Sequence, residues 1–214
     1  MRGLILKDLY TLKSFARSYG LIFGGMMVWS AFMENPTFLL AYAVILGSML
    51  VLSSMSMDES VSFNRYAMTM PINTRMLVKA KYMLFLITTL GGITLGLLFN
   101  GIMSMTMWRE RQLAGELLGV IAIIVVCIVS NSIALPIMFK FGSEKARYAY
   151  ILVIIGMTLL AVIVEKIHEE MKFSPVVIDE KAEIWLAIAM LGVCILAVFL
   201  SYKVTLKVVE KKEW

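Results

Sequence analysis

Apolar residues run through this chain in long blocks, and polar residues gather in short clusters between them. Six blocks approach or exceed the length a helix needs to cross a hydrocarbon layer: 19–33, 38–57, 80–107, 117–139, 148–164 and 184–202. The pattern predicts an all-α membrane protein of six transmembrane helices in one domain, 1–214. The first block would reach only ~22 Å as a helix, so Arg17 and Ser18 are expected to complete its crossing at one edge. The third exceeds what a bilayer requires and is expected to tilt or protrude. Glu34-Asn35-Pro36 reverses the chain after the first block, and Trp108-Arg109-Glu110-Arg111 closes the third with a tryptophan at interfacial depth. In the fourth, Pro136 deprives the Ser132 carbonyl of its helical donor, so a kink is expected there. Gly142 then suits a helix end and Ser143 the cap of the next helix.

Before the first block, residues 2–17 are amphipathic: Leu4, Ile5, Leu9, Leu12, Phe15 and Ala16 share one face, opposite Arg2, Lys7, Lys13, Ser14 and Arg17. Such a helix is expected to lie along the headgroups. The interspersed charges do not match a signal peptide. Asp8 falls inside the apolar arc and is read as an end-of-stripe carboxylate that snorkels to water.

The longest polar interruption, 58–82, reads DESVSFNRYAMTMPINTRMLVKAKY. It is longer than a connector needs and keeps Phe63, Tyr66, Met68 and Met70, side chains that invite a docking partner. A solvated connector with its aromatics resting on headgroups is the plainer alternative. Pro71 ends any helix and biases Met70 toward an extended backbone, so the stretch divides into a short helix over 60–68 and a second helix from Asn73, capped by Asn73 or Thr74.

Composition agrees with a membrane location: 60% of the 214 residues are hydrophobic and 16% charged, and mean hydropathy is +0.86. The net charge of +5 matters through its distribution, which gives no reason to invoke nucleic acid. With six spans, both termini share a side, and 15 of the 20 Lys and Arg fall on it, which places that side in the cytoplasm. The outer segment 165–183 carries six acids against Lys166, Lys172 and Lys181, and with Ser174-Pro175 is read as a small cap. Cys127 and Cys194 sit in apolar blocks and are read as small packing residues.

No enzyme constellation is present. The lone histidine, His168, lies among glutamates and is read as a surface residue, and no phosphate-cradling Gly-Lys-Ser or Gly-Lys-Thr loop occurs, so any ATP-driven step needs another polypeptide. Met103 and Met107, one turn apart, have a spacing at which thioethers hold copper(I), but no Cys or His joins them and flexible packing is the better reading. A pliable methionine surface also suits an amphipathic peptide. Asn100 and Asn131 are costly in hydrocarbon and are expected to face other helices or a cavity; with Met103 and Met107 they are the candidate substrate path. Small residues four apart at Gly20 and Gly24, Gly92 and Gly96, and Gly115 and Gly119 permit close helix approach.

The order of the acidic pair Asp58-Glu59, an aromatic, Met-Pro-Ile-Asn-Thr-Arg and then Val78-Lys79-Ala80-Lys81-Tyr82 resembles the first cytoplasmic loop of small ABC-2 type permeases, the membrane subunits of ATP-driven exporters. The Gly142 to Arg147 turn resembles their second loop, and the family also opens on an interfacial helix. Where such loops often carry a basic residue, Gly and Trp, this chain has Ser60-Val61-Ser62-Phe63, leaving Phe63 and Tyr66 as alternative contact aromatics. The resemblance implies a cytoplasmic coupling helix between spans 2 and 3, within 58–79, seated in an ATPase subunit. It assigns Asp58, Glu59, Phe63, Arg65, Tyr66, Met70, Pro71, Arg75, Lys79, Lys145 and Arg147 to ATPase coupling, with Arg75, Lys79 and Lys81 holding the moving unit at the headgroups. It further implies two ATPase subunits that bind ATP and Mg, no cofactor or metal in this chain, and a second copy or a paralogous permease. The location implied is a bacterial cytoplasmic membrane, the cargo amphipathic peptides of the phenol-soluble modulin kind. An immunity or sensor protein that binds a peptide without pumping it, and a passive channel, are the alternatives from other classes.

Overall fold

The computed structural model describes residues 2–32, 36–69, 73–106, 113–170 and 180–211. Among them are seven helices and no strand: α1 (Arg2–Phe32), α2 (Pro36–Ser60), α3 (Phe63–Thr69), α4 (Thr74–Thr106), α5 (Leu113–Phe141), α6 (Ser143–Glu170) and α7 (Glu180–Glu210). Four are long and apolar enough to cross a membrane, over Phe38–Ser60, Thr74–Ile102, Val120–Phe141 and Ala187–Glu210.

Chain chemistry accounts for the boundaries. α2 begins on Pro36, whose missing N–H is no loss in a first turn. Asn73 starts α4 as expected: its side-chain Oδ1 accepts from the Arg75 N–H at 3.2 Å and its carbonyl accepts from Met76 at 2.8 Å. Between α2 and α3 the chain turns through Ser62, a non-glycine residue with positive φ, at 53°.

Two boundaries differ from expectation. The amphipathic stretch and the first apolar block form one uninterrupted helix, α1, of 31 residues, because nothing between Arg17 and Gly20 breaks a helix. The short helix is α3, beginning at Phe63, while Asp58 and Glu59 complete the last turn of α2. The cap expected over 165–183 lies largely outside the described residues, which carry α6 to Glu170 and resume with α7 at Glu180.

α2 is the hub. It packs along α4 and also touches α1, α3, α5 and α6, while α5 holds α6 and α7. Half of its most apolar window, 50%, is buried within the chain, against 11% of the window on α7, so α7 is the face the fold leaves to lipid or to another subunit. Close approach of α2 and α4 depends on glycine. A Cβ on Gly92 would sit 2.6 Å from the Ala43 carbonyl, and one on Gly47 2.7 Å from the Thr88 carbonyl. Gly96 also meets α2, at Leu40 and Ala43, whereas Gly20 and Gly24 have nothing within 4 Å. The larger core cluster, including Val51, Met55, Leu84, Phe85, Leu135 and Phe139, lies toward the end of the bundle where α2 meets α3.

Candidate functional site

α3 is attached to that end by one face. Ala67 is fully buried and Phe63 packs on the core cluster, with the Lys7 Nζ 3.7 Å from its ring centroid. The other face is open: Tyr66 is 59% exposed, and Arg65 and Val61 are exposed beside it. Of the two aromatics, Phe63 anchors the helix and Tyr66 is presented outward. Met70 and Pro71 lie outside the described residues.

The acidic pair is divided between two internal tasks. Asp58 is buried, its Oδ1 2.5 Å from the Lys7 Nζ and its Oδ2 2.6 Å from the Lys81 Nζ. Lys81 also reaches Asp8 Oδ1 at 2.8 Å and Ser54 Oγ at 3.2 Å, and Lys7 lies 3.0 Å from the same Asp8 oxygen. Two carboxylates and two amines from α1, α2 and α4 thus neutralise one another in a nearly dry site. This corrects three expectations. Asp8 is 1% exposed and does not snorkel, Lys81 is 4% exposed and does not reach the headgroups, and the Asp58 carboxylate is occupied within the chain. Burial of Asp8, Asp58 and Lys81 is tolerated only because opposite charges meet them there, Lys7 among them.

Glu59 is exposed, and its carboxylate accepts the backbone N–H of Ser143. The cap on α6 therefore comes from the end of α2, not from the Ser143 side chain. Gly142 ends α5 and leads into α6: its N–H donates to Met138 at 3.0 Å and its carbonyl accepts from Ala146 at 3.2 Å, with φ of +93°. The left-handed backbone favours glycine there, and a Cβ would in addition displace the end of the Glu59 side chain from the α6 N-terminus. A carboxylate at this N-terminus also answers the helix dipole.

The two polar loops are thereby joined. Between them lies a groove of about 360 Å³ whose lining includes Glu59, Asn64, Arg65, Lys140 and Phe141. Lys145 and Arg147 are exposed on the first turns of α6, with the Lys145 Nζ 5.3 Å from the Phe141 ring centroid. Arg75 and Lys79 face elsewhere: Arg75 Nε pairs with Glu210 Oε1 of α7 at 2.9 Å.

Of the membrane-depth residues, Asn131 is fully buried and its Nδ2 donates to the Cys127 carbonyl at 2.9 Å, while Asn100 is partly buried on α4. Met103 belongs to α4 and Met107 lies outside the described residues. The Ser132 carbonyl freed by Pro136 has a donor that sequence could not supply, Ser201 Oγ on α7. The Tyr82 hydroxyl of α4 joins it, 2.6 Å from Ser201 Oγ and 2.7 Å from Thr205 Oγ1.

A bundle of helices, four of them long and apolar enough to cross a membrane, with the short helix α3 held against one end, defines the class as a helical membrane protein. Residues 3–210 match the family model described as ABC-2 family transporter protein, and the chain belongs to that family. It is a permease subunit of an ABC transporter, a transport component that works with ATPase partner subunits in a lipid membrane. No curated protein and no solved structure matches it.

Proposed function

We propose that this permease exports amphipathic peptides, and that α3 is the coupling helix through which the ATPase moves it. The observation that carries the reading is the two-faced character of α3. Ala67 and Phe63 fix it to the bundle, while Tyr66 and Arg65, with Val61 in the turn before the helix, are left for a partner. A helix so mounted transmits a push. Force on Tyr66 and Arg65 passes through Phe63 to Lys7, and so to the α1, α2 and α4 charges, and through Glu59 to the head of α6.

In this reading six spans place both termini in the cytoplasm of a bacterium, α1 supplying both interfacial segment and first span. Two such subunits, as identical copies or as a paralogous pair, stand over two ATPases that hold ATP and Mg. Lys145 and Arg147 offer a second contact across the groove. Closure of the ATPases would tilt α2 and α4 together, since the Gly47 and Gly92 contacts leave no slack between them. The peptide cargo is supported by pliable, methionine-rich helices along the expected path at Asn100, Met103, Met107 and Asn131.

The test is Tyr66→Ala in the chain reconstituted with its ATPase. The complex is expected to assemble and hydrolyse ATP with peptide transport reduced by at least tenfold. Phe63→Ala is expected to lower permease stability as well, because Phe63 is part of the core attachment. Unchanged coupling in Tyr66→Ala would remove α3 as the coupling element.

A further inference from the structure

The start of α4 and the end of α7 enclose a groove of about 850 Å³. Arg75 and Lys79 line it from α4, Lys203 and Lys207 from α7, together with Asn73, Tyr202 and Glu210. Each basic pair is spaced four residues apart, so two like-charged pairs face one another, an arrangement that repels itself unless an anion sits between them. The one carboxylate in the lining, Glu210, is already taken by Arg75. Four cations against one acid leave the groove strongly positive.

Its position says which anion belongs there. The apolar spans Thr74–Ile102 and Ala187–Glu210 begin and end at this groove, which puts it at headgroup depth. Exposed Phe199 on α7 and Met76 and Met83 on α4 carry apolar surface from it toward the hydrocarbon. The Lys203 Nζ lies 4.5 Å from the Phe199 ring centroid, so the charge stands directly above that apolar surface. A soluble anion would use the cations alone; a diacyl phospholipid uses both parts.

We propose that the α4–α7 groove is a binding site for an anionic phospholipid, its phosphodiester among Arg75, Lys79, Lys203 and Lys207 and its chains along α7. Basic pockets between spans on the cytoplasmic side are a physical match to such headgroups. The site requires only that α4 and α7 cross the bilayer, and does not depend on the cargo or on α3. Bound there, the lipid would bridge the start of α4 to the end of α7.

The experiment uses the full chain without any ATPase, purified into phosphatidylcholine nanodiscs and titrated with phosphatidylglycerol. Thermal midpoint and retained lipid by native mass spectrometry are the readouts. Phosphatidylglycerol is expected to raise the midpoint and remain bound, and Lys203→Gln with Lys207→Gln to weaken that binding on the order of tenfold. Lys13→Gln with Arg17→Gln removes the same charge from exposed positions on α1 and is expected to leave it intact. Glu210→Gln, which releases Arg75, is expected to strengthen binding severalfold, and this variant alone decides the matter if the lysine pair does not fold. The proposal is overturned if phosphatidylglycerol binds no better than phosphatidylcholine, if the α1 pair weakens it equally, or if Glu210→Gln weakens it. Displacement by glycerol phosphate at matched ionic strength would mean a free-anion pocket and would also overturn it. So would lipid binding unaltered in the α7 lysine variant. An inactive transporter that still retains the lipid would count against the export reading alone.

Discussion

Pro136 leaves one carbonyl without its helical donor, and the response is a single hydroxyl. Ser201 Oγ donates to the Ser132 carbonyl and meets the Tyr82 hydroxyl, so a defect in α5 becomes the point where α4, α5 and α7 are joined. Ser201→Ala is expected to destabilise the protein by about 1–3 kcal/mol, the cost of a buried polar group left unpaired. In a Pro136→Ala background the helix regains its own N–H at that carbonyl, and the same change should cost appreciably less. Thermal midpoints of the four proteins in detergent give the cycle, and additivity would show that the two residues are not linked. The orphaned carbonyl was legible in the sequence. Its partner 69 positions later was not, because hydroxyls at Ser201 and Thr205 look like any others in an apolar helix until α7 is laid against α5. Gly92 and Gly96 carried a readable signal of close packing, but Gly20 and Gly24 carry the same one and touch nothing. Gly92→Leu is accordingly expected to break the α2–α4 contact and abolish a folded, monodisperse product, whereas Gly20→Leu should purify normally in size-exclusion chromatography.

At the scale of the element, the charge cluster explains how α1 is held to the bundle. Lys7 and Asp8 are neighbours on α1, and their side chains reach Asp58 on α2 and Lys81 on α4. Removing one member strands the others: Lys81→Met leaves two buried carboxylates against one amine and is expected to cost about 3–5 kcal/mol. Adding Asp8→Leu restores neutrality and should recover most of that loss. A double variant as unstable as the single one in thermal denaturation would show that Lys81 acts by packing alone. Periodicity placed Asp8 on an apolar face and then misjudged it, since a carboxylate that faces a core is indistinguishable in one sequence from one that bends toward water. Lys81 shows the same limit: a lysine at the edge of a span reads as a headgroup anchor unless its counter-ion is known to be beside it. The phrase around Pro71 fared better because breaking a helix is a local act, and α3 and α4 lie on either side of it.

For the whole molecule, the apolar helices and the charge bias predict a six-span topology that labelling can check. With Cys127 and Cys194 replaced by Ala, a cysteine introduced at Gly3 or Lys211 should resist a membrane-impermeant maleimide in intact cells, and one at Lys172 should react. Labelling at Gly3 or Lys211 would invert or reduce the six-span arrangement. By itself the sequence determined the helical class, the membrane, the separation of α3 from α4 and the family. These follow from apolar run length, proline geometry and local order, none of which needs distant contacts. Tertiary structure alone decided that Asp8, Asp58 and Lys81 face one another, that Glu59 caps α6, that Tyr66 and not Phe63 faces outward, and that Arg75 meets Glu210 beside α7. Each of those depends on which helix lies against which, and a charge or aromatic has no fixed meaning until the residue opposite it is in place.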